Sequence, residues 1–215
     1  MWHQPPSPFE MEIITMRDIK KFIEETINDT SLLKSDEIPN IDLYMDQVTT
    51  FLTSHLANES EDEEPVFTKT MINNYAKCQL LPAPEKKKYT KDHMLMLINI
   101  YYLKNIMSIN NIHKLLNPLA KDFFHVEDGV DLSDVYDEVF TSLENIKKET
   151  NKDMLDKLKL SSALFKDLDV NDKDYLQLYS FISMLSFDIY MKKQLIESLI
   201  DTLDTPSKEK DKDKE

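Results

Sequence analysis

Apolar residues return every three or four positions through most of this chain, the spacing of helices that turn one face inward. Ile13, Met16, Ile19, Ile23 and Ile27 trace the first stripe, with Ser7 as its cap, Pro8 at the first helical position and Glu10 three residues after the cap. A second stripe, opened by Asn40, runs through Ile41, Tyr44, Val48, Phe51, Leu52 and Leu56. Residues 57–66, "ANESEDEEPV", then place five carboxylates in six positions ahead of a proline, which predicts a solvated connector. A short helix over 68–79 follows, and a longer one from Thr90 that is apolar on nearly all sides between Met94 and Met107, the pattern of a buried centre. Ser108 caps the next, which turns Ile109, Ile112, Leu115 and Leu116 inward.

The character of the chain changes at Pro118. Residues 118–203 hold 10 lysines against 18 carboxylates, and the pattern predicts helices over 132–149, 151–168 and 171–203. In the last of these Tyr175, Leu178, Ile182, Leu185, Ile189, Ile196, Leu199 and Leu203 step by threes and fours, interrupted only by Lys192. Leu176, Tyr179, Phe181, Met184, Phe187, Met191, Leu195 and Ile200 widen that surface beyond a two-stranded seam, so the expectation is a bundle helix that also serves a homodimer through 171–203. The tail "PSKEKDKDKE" is low-complexity and charged, and no fixed structure is expected of it.

Composition narrows the function classes. One glycine in 215 residues, Gly129, disfavours phosphate-cradling loops, dinucleotide fingerprints and nucleophile elbows, and it points away from strand-rich folds toward an all-α chain. An apolar content of 41% suffices for a core, and a single cysteine, Cys78, forms no internal disulfide. Glu10 and Glu12 stand where a secretory signal needs an apolar run, and the longest apolar stretch, Met94 to Leu103, falls short of the about 20 residues of a membrane helix. A cytoplasmic location is expected.

The net charge is −14, yet residues 67–93 hold six lysines and two carboxylates, a local +4. On a helix, Ile72, Tyr75 and Ala76 fall on one side and Thr70, Asn73, Asn74 and Lys77 on the other. Asn pairs its donor and acceptor with adenine, Thr touches a thymine methyl, and Lys reaches guanine or phosphate, so the outward set suits base edges in a major groove. Lys69, Lys86, Lys87, Lys88 and Lys91 suit phosphates. The same faces also describe an ordinary solvated helix followed by a solubilising turn.

Short helix, "LLPAPEKKKYT", long apolar helix and "SINNIHKLL" resemble the order of MerR-type winged-helix regulators over about 50 residues, where a recognition helix precedes a "GLLPP" turn, a wing and two helices. Tyr75 matches the recognition-helix tyrosine; Leu80, Leu81 and Pro82 match the turn; Tyr89 matches the wing tyrosine; and Ser108, Ile109, Ile112, Leu115 and Leu116 match the last helix. Asn73 and Asn74 stand in place of that family's Arg and Tyr, and Lys88 in place of its wing arginine. "IDLYMDQVTTFL", "TKTMINNYAK" and "APEKKKYTKDHM" also resemble a bacterial family described only as a domain of unknown function, over residues 36–117. The resemblances imply an N-terminal helical extension (1–35), a MerR-like winged-helix core with at most a minimal β wing (36–117), a helical bundle with a long C-terminal helix (118–204) and a tail (205–215). They imply a transcriptional regulator that binds double-stranded DNA, and the rival is a protein-binding adaptor that keeps the shape without the DNA.

Other constellations point elsewhere. "DVNDKDYLQLYS" departs from a calcium loop at Lys173, Asp174 and Ser180 and reads better as a helix cap, and "EDGVDLSDVYDE" reads as a helix opened by Asp131 or Ser133. His3, His55, His93, His113 and His125 lack paired-ligand spacing, and Cys78, on a short helix beside Leu80, reads as a small packed residue. Neither a metal, a cofactor nor an enzymatic reaction is expected.

Overall fold

The computed structural model describes residues 16–30, 32–56, 65–167 and 172–203. They form α1 (Met16–Asp29), a 3-10 turn (Ser35–Glu37), β1 (Leu43–Tyr44), α2 (Met45–Leu56), α3 (Lys69–Lys77), β2 (Lys88–Tyr89), α4 (Lys91–Leu103), α5 (Ile109–Phe123), α6 (Leu132–Ser162) and α7 (Lys173–Leu203). The described residues are all-α apart from one two-stranded antiparallel sheet, in which Leu43 faces Tyr89 and Tyr44 faces Lys88. None of the described helices is long and apolar enough to cross a membrane.

The described residues divide into two compact units, one of 16–30 and 145–190, the other of 32–144 and 191–203. In the second, α4 is the centre: Met94, Leu95, Met96, Leu97, Ile98 and Ile100 are wholly buried, packed among Val48, Leu52, Phe67, Ile72, Leu81 and Ile112. Hydrogen bonds join its segments. The Tyr101 hydroxyl donates to the Leu56 carbonyl (2.8 Å), Tyr136 to that of Leu33 (2.5 Å), and Ser35 to the Asp137 carboxylate (2.5 Å). Lys104 donates to the Val66 carbonyl (3.0 Å) with its ammonium 4.7 Å from the Phe67 ring centre, and burial lowers its pKa. In the other unit Ile19, Ile23, Leu158 and Phe181 form the core. Gln177 donates to the carbonyls of Ser162 (3.1 Å), the last residue of α6, and Leu164 (3.0 Å), in the turn that follows.

Several expected boundaries move. The second helix starts at Met45 rather than after Asn40, because Leu43–Tyr44 pair as a strand; Gln47 then accepts from the Tyr44 N–H (2.9 Å) at the helix start. Helices expected over 132–149 and 151–168 are one helix, α6: an interior Asn costs less than about 1 kcal/mol, and no proline or glycine occurs between 132 and 162 to stop it. Pro118 lies inside α5, which continues to Phe123 because Leu119, Ala120 and Phe123 still pack on the core. Gly129, at φ +111, occupies the turn into α6, a conformation that side chains rarely adopt. The Ser7 cap, most of the acidic connector (57–64), part of "DVNDKDYLQLYS" (169–171) and the tail lie outside the described residues.

Candidate nucleic-acid interface

α3 is pinned at both ends. The Thr68 hydroxyl accepts from the Met71 N–H (3.1 Å) at its start, and at its end the N–H groups of Leu80 and Leu81 both reach the Tyr75 carbonyl (2.9 and 3.1 Å), with Gln79 at φ 60. Ile72 and Tyr75 are buried, and burial together with Cys78 pushes the Tyr75 phenol upward in pKa. Thr70, Asn73, Asn74 and Lys77 are all exposed, so the hydrogen-bonding face is open among the described residues. Cys78 is exposed instead of packed: it caps the helix, where its backbone turns out of the stripe, and its thiol donates to the Tyr75 carbonyl (3.5 Å).

The lysine run forms a two-residue turn. Glu85 and Lys88 pair across it, the Lys88 N–H donates to the Glu85 carbonyl (2.8 Å), and Lys86 (φ 48) and Lys87 (φ 65) are both left-handed. Such a turn matches the twist of the strands but ordinarily takes Asn-Gly, and each residue with a Cβ held left-handed there costs roughly 1–2 kcal/mol. Both side chains project exposed from the tip.

The lysines do not all face solvent alone. Lys69 pairs with Asp46, and Lys88 with Asp42 (3.9 Å), so the start of α3 and the base of the lysine turn converge on the segment Asp42–Asp46. Tyr44, between those carboxylates, is 56% exposed. Lys91, half-buried, borders a polar depression of about 270 Å³ that Asp42, Asp92 and Asp131 also line. Among the described residues no carboxylate comes within ion-pair distance of Lys77, Lys86 or Lys87. Sequence reading missed Asp42, Asp46 and Tyr44. The alternation at Leu43–Tyr44 is too short to announce a strand, and ion pairs between distant segments have no local signal.

Behind the turn lies His93, 1% exposed, its ring edge-on to Tyr89 and Phe124. The Thr90 N–H donates to Nδ1 (3.1 Å), which leaves the proton of the neutral ring on Nε2, and among the described residues Nε2 meets no group in hydrogen-bond geometry. Burial, then His125, lowers the His93 pKa to about 4, against the opposing pull of Asp42 and of the Pro82 and Ala83 carbonyls. Asp131 caps α6, accepting from the Asp134 N–H (2.9 Å), as "EDGVDLSDVYDE" suggests. Among the described residues no three His, Cys, Asp or Glu side chains are grouped to hold a metal ion.

No curated protein and no solved structure matches the chain. Residues 33–139, a stretch that holds the whole candidate interface and runs beyond 36–117, match the family model of a domain of unknown function, DUF1836.

Proposed function

We propose that the chain is a DNA-binding transcriptional regulator with a MerR-like winged-helix core, α3 entering the major groove and the Lys86–Lys88 turn resting on phosphates. One observation carries the reading: the face of Thr70, Asn73, Asn74 and Lys77 is exposed on a helix whose opposite face is fixed in the core. The order short helix, lysine turn closed by the Glu85–Lys88 pairing, and buried helix supports it. So does Gln79, left-handed where the MerR pattern "GLLPP" has glycine. Lys69, Lys77, Lys86, Lys87, Lys88 and Lys91 supply the positive charge, each as a single point contact, because lysine lacks the forked donors of arginine.

The second reading, a protein-binding adaptor of the same shape, is favoured by Asp42 and Asp46, which already hold Lys88 and Lys69. Fluorescence anisotropy with a labelled random duplex separates the two. The regulator binds at low salt and loses binding when Lys86, Lys87 and Lys88 become glutamate; the adaptor shows no binding to abolish.

A further inference from the structure

Asn99 is the one amide side chain on α4, inside a stretch that is otherwise apolar or aromatic from Met94 to Leu103. Its side-chain nitrogen donates to the Leu95 carbonyl one turn back (2.9 Å), so the group it offers beyond its own helix is the amide oxygen. The same side chain lines a cavity of about 80 Å³ in the second unit, walled by α4, α5 and α6, with Leu132 and Val135 among its apolar sides. Tyr102 and Tyr136 line it too, but their hydroxyls are engaged with the Leu33 backbone, Tyr136 donating to the carbonyl (2.5 Å), so they supply ring surface. An amide oxygen set in an apolar wall is unfavourable unless a donor meets it, and a leucine there would simply complete the wall.

We propose that this cavity binds a small neutral aromatic ring bearing one hydrogen-bond donor, a phenol in the simplest case, its hydroxyl donating to the Asn99 oxygen and its ring lying against Tyr102, Tyr136 and Phe140. The lining carries no charged side chain, which suits a neutral ligand and disfavours a carboxylate or an ammonium. Size sets how the ring sits. A closed apolar cavity of about 150 Å³ holds benzene, so this smaller one encloses only part of a ring. The rest leaves on the side of Val139, a lining residue that is 55% exposed.

None of the lining residues belongs to the face proposed to meet DNA, so the two readings stand or fall separately. Methyl NMR of the full chain, titrated with phenol and in parallel with toluene, reads the site through Leu132 and Val135. Phenol should shift both residues' methyls saturably. Toluene has the ring without the donor, and Asn99→Leu should lower phenol affinity roughly tenfold relative to toluene affinity, with toluene still bound as the sign of an intact fold. Val139→Trp, a change at an exposed position, should close the mouth and abolish binding of both. No saturable shift with phenol, a phenol-to-toluene ratio untouched by Asn99→Leu, or phenol binding indifferent to Val139→Trp would overturn the proposal.

Discussion

Asp46, in the first turn of α2, holds the ammonium of Lys69, the first residue of α3. The pair ties a helix proposed to enter DNA to a carboxylate that repels it, and Asp42 does the same to Lys88. Both pairs are largely solvent-exposed, so their breaking costs little and phosphate can displace them. Asp42→Asn with Asp46→Asn should therefore raise affinity for random duplex by about three- to tenfold at low salt while the melting temperature changes little. Anisotropy titration of the double variant checks this; unchanged affinity would mean that Lys69 and Lys88 do not meet DNA.

The left-handed pair Lys86 and Lys87 is strained where Asn-Gly would rest. Replacing both, Lys86→Asn with Lys87→Gly, should stabilise the fold by about 1 kcal/mol in denaturant unfolding, the added flexibility of glycine in the unfolded chain offsetting part of the relief. The same change should reduce the salt slope of duplex binding by about 1.8, two phosphate contacts. Greater stability together with undiminished binding would separate the turn from the interface.

His93 ties stability to pH. The unfolded imidazole takes a proton near 6.5, the folded one only near 4, because burial and His125 disfavour the charged ring. The unfolded chain thus binds more protons between these values, and stability, complete above 6.5, falls by about 3 kcal/mol as pH drops toward 4. His93→Gln keeps an acceptor for the Thr90 N–H and should flatten this part of the urea-unfolding profile. An unaltered acid slope in the variant would assign it to other groups.

On α3 the two faces should respond oppositely. Ile72→Ala empties a wholly buried position and should cost about 2–5 kcal/mol, which a thermal melt reads. Asn73→Ala and Asn74→Ala, on the exposed face, should leave the melt within about 0.5 kcal/mol and weaken binding to a preferred duplex. Loss of stability in the asparagine variants would make that face structural.

Much of the fold could be read from local signals. The apolar run from Met94 to Ile100 is continuous enough to require burial, and Thr68 and Ser108 are hydroxyls before helical stripes, where each caps its helix. Local rules erred where packing outweighed propensity. Asn151 does not end α6, Pro118 does not end α5, and the stripe from Ile41 is cut by strand pairing to a partner more than forty residues away. The polar face of α3 was legible from its 100° periodicity. Its acidic neighbours Asp42 and Asp46 were not, since only the folded chain sets them against Lys88 and Lys69.

The central claim is that the positive face on and around α3 binds the phosphates of duplex DNA, and its salt dependence measures this directly. Anisotropy with a random duplex, repeated from about 50 to 200 mM salt, should give log affinity falling with log salt at a slope near −3.6, about four phosphates neutralised. No binding at the lowest salt, or a slope near zero, would contradict it.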